Sequence, residues 1–155
     1  MIQRMLFVLC LAGAALHAEN LINVDSDGIA LHGYDPVAYV SITQAVKGRS
    51  HLDAPYAGAT FLFATDNDRA AFQKNPKAYL PAYGGWCAYA MAEGDFVDVN
   101  PKTFKLISGT AHLFYNGFLG NTMKKWDKDE AKLKAAADAQ WKKLVDAKQA
   151  EAKKP

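Results

Sequence analysis

"GATFLFATDNDRAAFQKNPKAYL", residues 58–80, changes character in its middle, and that change decides the fold class. Its first part, Gly58–Ala64, concentrates the aromatic and β-branched residues of a strand. Just upstream, "PYAGA" (55–59) carries a glycine turn that leads back to a shorter partner strand over residues 51–56. From Asp66 the pattern turns helical. Asp66 is the expected cap, Ala70, Phe72 and Tyr79 supply apolar contacts, and Pro76, which lacks an N–H, breaks or restarts the helix. A second hairpin is legible downstream, where "FKLI" and "AHLFY" flank "SGT" over residues 104–115. From Gly117 onward the spacing becomes helical, with Leu133, Ala137, Trp141 and Leu144 or Val145 returning on one face. No internal repeat or second domain is visible. The reading is α+β: a small single domain of short antiparallel strands packed against helices, with a long C-terminal helix.

Composition supports a packed domain: of 155 residues, 50% are hydrophobic and 22% charged, enough apolar material for a core and too much for disorder over most of the chain. The first eighteen residues form a separate unit. Arg4, an apolar run from Met5 to Leu16 and the small Ala18 have the pattern of a secretory signal peptide, too short to span a membrane. Leu9 before Cys10 argues against lipoprotein processing. The expected organisation is therefore a signal peptide over 1–18, one domain over 19–145 that includes the C-terminal helix, and a tail over 146–155 that frays for want of apolar anchors. Such a chain works in the periplasm or is secreted, with no integral membrane segment in its mature form. Cys10 would leave with the leader, so Cys87 is the single free thiol and no intramolecular disulfide can form. Loss of Arg4 would lower the formal net charge from the +2 of the full chain, a balance that argues against nucleic acid as a partner. Basic residues gather after Lys124, in the pattern of a solvated helix face.

Chemistry concentrates in "YGGWCAYAM" (83–91). No Lys-Ser or Lys-Thr follows Gly84 and Gly85, so they are not a phosphate cradle; they let the chain turn tightly before Trp86 and Cys87. If "CAYAMA" is helical, Cys87 stands near a helix N-terminus, and Met91 lies one turn on, a thiolate and thioether suited to Cu(I). In a strand the two would be too far apart to share an ion. His32, His51 and His112 are scattered, with no local chelating pair. Three readings of Cys87 stand open: a metal ligand, a reactive thiol, or a small buried hydrophobe. "NVDSDG" (23–28) begins like a calcium loop, but Tyr34 occupies the position of the closing glutamate, which leaves an Asx-rich turn.

Taken together, "LHGYDPVAYV" (31–40), the stretch from Gly58 to Leu80, "PAYGGWCAYA" (81–90) and the late Trp126 and Trp141 resemble the exported branch of the YHS-domain proteins, over roughly Ile29 to Trp141. The resemblance implies a small α+β domain and a metal-binding module. Cysteine-bearing members of the family open on Asp-Pro-Val-Cys, whereas Ala38 follows Asp35, Pro36 and Val37 here. Phe63, Phe72, Pro76 and Tyr79 match a second motif, but Ala64 and Asp68 stand at its cysteine positions. The thiolate cage is thus absent, and the resemblance lends no support to Met91.

These readings converge on an exported YHS-like binding module. In its metal form, Cys87 holds a transition metal, Cu(I) in preference, with help from His32, His51, His112, Met91, Asp35 or a tyrosine. In a thiol-chemistry form, Cys87 is a nucleophile or redox carrier and His51 or His112 is its base. In a third, Tyr34, Asp35, Tyr83, Trp86 and Tyr89 contribute to a pocket for a small ligand without metal. An exposed Cys87 would also cross-link a homodimer. The sequence assigns no reaction.

Overall fold

Two hairpins of the same design anchor the chain. In each, a non-glycine and a glycine at positive φ form the two-residue turn: Ala57 at 50° with Gly58 at 76°, and Ser108 at 50° with Gly109 at 79°. That pair of values matches the right-handed twist of the strands on either side. The first turn joins β1 (Arg49–Tyr56) to β2 (Ala59–Phe63), and the second joins β3 (Asn100–Ile107) to β4 (Thr110–Phe114), both antiparallel. The computed structural model describes residues 21–154, so the expected signal peptide lies outside the described residues.

Before β1, a helix the sequence reading lacks, α1 (Pro36–Ser41), starts on a buried Asp35 cap with proline in its first turn. Asp35 spends both carboxylate oxygens on backbone: Oδ1 accepts from Val37 N–H at 2.8 Å, and Oδ2 accepts from Ala64 N–H at 2.8 Å. One side chain thereby fixes the start of α1 to the end of β2. After β2, α2 (Asp66–Lys74) is capped by the Thr65 hydroxyl, one residue before the expected Asp66, which instead joins Asp68 in the first turn where the helix dipole favours negative charge. Pro76 ends it as expected, in a single 3-10 turn over Pro76–Ala78. The four-residue α3 (Ala88–Met91) follows the glycine turn.

Residues 116–121 differ from the sequence reading, which places helix from Gly117. They form a small hairpin of β5 (Asn116–Gly117) and β6 (Gly120–Asn121), and helix begins only at α4 (Thr122–Trp126). The reason is local: Asn121 caps α4 by accepting from Met123 N–H, and Gly120 at a φ of 107° permits the turn before it. The long helix α5 spans Glu130–Ala152. Leu133, Ala137, Trp141 and Leu144 pack against the core, as their spacing predicts. The helix continues past residue 145, where fraying was expected, because alanine, lysine, glutamine and glutamate all favour helix; Ala147, Lys148 and Glu151 line a shallow pocket with Leu21 and Phe96.

Apolar side chains gather into two clusters. One holds Leu31, Val37, Tyr39, Phe61, Phe63, Phe72, Cys87 and Leu113; the other holds Tyr83, Met91, Phe114, Trp126 and Ala137. Strand β4 is the wall between them. Its residues alternate sides with a period of two, Ala111 and Leu113 facing the first cluster while His112 and Phe114 meet Trp126. Burial on both faces explains why Ala111 to Phe114 are all buried.

Candidate functional site

The glycine turn aims the chain at both sides of this wall. Gly84 and Gly85 have φ of +61° and +86°, and a Cβ on Gly84 would lie 2.0 Å from the Leu21 carbonyl oxygen, so no side chain fits at Gly84 unless Leu21 shifts. Tyr83 before them also sits at a φ of 54°, a costly conformation for a bulky buried residue. Trp86 then extends, its indole N–H donating to Leu21 C=O at 3.1 Å and its ring edge meeting Phe96. Cys87 follows, pinned by its own N–H to Val97 C=O at 2.9 Å.

Cys87 has no exposed surface. Its sulfur belongs to a closed circuit. The Thr122 hydroxyl donates to Tyr115 C=O at 3.0 Å, so its oxygen accepts from the thiol at 3.3 Å; the Tyr115 N–H in turn donates to Sγ at 3.4 Å. A thiolate would find the same two neighbours, with the hydroxyl turned to donate. Cys87 and Thr122 also line a pocket of about 230 Å³, together with Ala90, Val97, Tyr115, Leu119 and Lys125. Leu119 is 77% exposed and the adjacent Phe118 99%, so the β5–β6 turn carries apolar surface at this side of the molecule. Lys125 makes no ion pair among the described residues, and its ammonium lies over the Tyr89 ring, 5.7 Å from the centroid.

Met91 does not share this pocket. Cys87 is the N-cap of α3, with a ψ of 115°, so helical spacing does not apply to its side chain, and Met91 packs in the other cluster. Neither His51 nor His112 is a hydrogen-bond partner of the sulfur. His51 is exposed on β1. His32 pairs through Nε2 with Asp98 at 2.8 Å, and that carboxylate, which also accepts from Asn23, is held below the usual range by these hydrogen bonds, although partial burial opposes them. Asp25 accepts from the N–H groups of Asp27 and Ile29, the Asx turn expected of "NVDSDG". Among the described residues no group of three or more His, Cys, Asp or Glu is arranged to hold a metal ion.

His112 is 3% exposed and packs edge-on to Tyr83, with ring centroids 5.5 Å apart. Its Nδ1–H donates to Thr110 C=O at 3.0 Å, and burial lowers its pKa, so the neutral ring carries its lone pair on Nε2. Beside it the Tyr83 hydroxyl donates to Asp138 Oδ1 at 2.8 Å, and Lys134 donates to Asp138 Oδ2 at 2.7 Å. Burial, then the bond to Asp138, raises the Tyr83 pKa and keeps the phenol protonated.

Of the remaining expected site residues, Asp35 is a buried cap, with its pKa raised by burial, and Tyr34 packs on the first cluster beneath the Lys47 ammonium. Thr122, Tyr115 and Lys125 around the sulfur, and Lys134 and Asp138 beside His112, are absent from the sequence reading. Lys134 and Asp138 were accessible as an i, i+4 pair on α5; Thr122 and Tyr115 carry no sequence signal toward Cys87.

No protein-family model matches the chain, and no curated protein or solved structure matches it. No helix among the described residues is long and apolar enough to cross a membrane.

Proposed function

We propose that the chain is an exported, YHS-like binding module whose ligand sits in the pocket over Cys87. The resemblance of its motifs supports the family, and the pattern of residues 1–18 supports export. The pocket itself is the observation that carries the reading: Cys87, Thr122 and Lys125 line a cavity of about 230 Å³ whose other walls are apolar. Its walls are apolar and its one charge is Lys125, so the favoured ligand has an apolar body and an acidic end. Hexanoate is the simplest probe. Saturating hexanoate should slow alkylation of Cys87 by iodoacetamide, and Lys125→Ala should weaken that protection about tenfold. Unchanged alkylation at every hexanoate concentration removes the proposal.

Cu(I) binding at Cys87 is a second reading, favoured by the two hydrogen-bond donors that could serve a thiolate there. A chelator-competition titration with Cu(I) tests it. Affinity equal in the protein and in Cys87→Ala excludes Cys87 as the ligand. A thiol enzyme would need a base at the sulfur, and no histidine supplies one.

A further inference from the structure

Across the wall from Cys87, a cleft of about 350 Å³ lies between α5, the turn of the β3–β4 hairpin and Tyr83. Its ionisable groups are already committed, with one exception, while the Ser108 and Thr110 hydroxyls at its rim can each both donate and accept. Both oxygens of Asp138 are taken, by the Tyr83 hydroxyl and the Lys134 ammonium, and Lys134 balances its charge. His112 Nδ1 is taken by Thr110 C=O. His112 Nε2 makes no hydrogen bond to a described residue. Since no sealed side-chain nitrogen or oxygen among those residues lacks a partner, Nε2 is open to the cleft it lines. Among the ionisable groups of the cleft, the uncommitted atom is therefore an acceptor on a ring that is otherwise buried. The walls beside it are aromatic and aliphatic: Tyr83, Trp141 and Ile107. Tyr83 reaches its wall through a strained backbone, at a φ of 54° and a ψ of 36°, which the bond to Asp138 and the glycine turn hold in place.

We propose that this cleft binds a small neutral molecule with a planar apolar body and a single N–H or O–H donor, held by a hydrogen bond to His112 Nε2. Phenols and indoles are the simplest members of that class. A charged ligand gains no partner here, because Asp138 and Lys134 already balance each other beside the acceptor. A molecule without a donor would strip water from Nε2 and give nothing back. The planar body is matched by the Tyr83 and Trp141 rings, 6.2 Å apart between centroids and steeply inclined to one another, which offer a face and an edge.

The test uses two pairs of probes that differ by one methyl group on the donor: phenol with anisole, and indole with 1-methylindole, titrated into the full protein with amide and histidine nitrogen shifts recorded by NMR. Phenol and indole should bind at least about tenfold more tightly than their methylated partners, and should move the His112 Nε2 resonance together with amides of Tyr83, Ser108 and Trp141. His112→Phe, which keeps a ring of similar shape, should abolish the preference while leaving anisole binding in place. A preference below tenfold in the unmodified protein overturns the proposal, as do shifts that map to the Cys87 pocket instead. Because the paired probes are compared on the native protein, the outcome stands even if His112→Phe fails to fold.

Discussion

Cys87 and His112 are both buried, both face a cavity and sit on opposite sides of the wall that β4 forms, yet they differ in what their polar atoms have left to offer. The Cys87 sulfur is enclosed in a circuit with Thr122 and Tyr115, so a ligand above it meets a satisfied thiol and gains chiefly from apolar contact. His112 has one nitrogen fixed and the other open, so its cavity asks for a donor. Burial alone therefore does not tell a structural polar residue from a recognising one. The count of uncommitted lone pairs does.

Several substitutions break or sharpen that contrast. The largest effect is expected on the His112 side, where Trp126 is fully buried between His112 and Phe114. Trp126→Ala should cost about 3–5 kcal/mol in urea unfolding, while leaving a Cys87 pocket in whatever folded protein remains. Gly84→Ala attacks the pivot that sends Tyr83 to one side and Cys87 to the other. With a backbone oxygen at 2.0 Å from the new Cβ, it should cost about 2–3 kcal/mol by the same measurement. A neutral result would mean that Leu21 can move away freely.

Cys87→Ala leaves the Tyr115 N–H without its acceptor and should cost about 1–2 kcal/mol. Cys87→Ser can keep the circuit and should cost less; the reverse order would show that size rather than hydrogen bonding governs this site. On the other side the contrast appears as pH dependence. Folded His112 has a pKa below 6.5, so the unfolded chain binds the proton more readily, and stability present above pH 6.5 is lost as pH falls toward the folded value. The groups that bear on it are Thr110 C=O, Lys134, Asp138 and Glu130, of which Lys134 adds to the lowering and the others oppose it. Urea midpoints at about pH 7.5 and about pH 5 should differ more in the native protein than in His112→Phe. Asp35, with its raised pKa, works in the opposite direction and is common to both proteins, so it cancels in the comparison. The smallest effect is expected at Lys105, half-exposed and paired with Asp127 and Glu130: Lys105→Ala should change stability by about 0.5 kcal/mol or less, and less still in high salt.

Local chemistry made much of the fold legible. The strand composition around Phe61, the glycines at 58 and 109, Pro76 and the spacing of Leu133, Ala137 and Trp141 act within a few residues of where they stand, and each has its expected consequence. Asp35 followed by Pro36 was equally local, a cap and a first-turn proline, but its weight in the sequence fell on the family motif instead of on the helix it starts. The helix expected from Gly117 starts late for the opposite reason: Gly117 and Gly120, on either side of Phe118 and Leu119, close a hairpin that leaves both apolar residues exposed.

The candidate sites divide in the same way. Sequence by itself singled out Cys87, Tyr83 and His112 by residue type, and fixed the glycine turn that aims the first two. It could not pair Cys87 with Thr122 and Tyr115, or His112 with Tyr83 and Asp138, because those partners lie tens of residues away and meet only when β4 is buried between two clusters. Nor could it show that Cys87 and Met91, one helical turn apart in number, face different clusters, since the non-helical ψ of a cap residue is imposed by packing. Short-range chemistry is written in neighbouring residues; which lone pair is left unpartnered is decided only when the whole chain has closed.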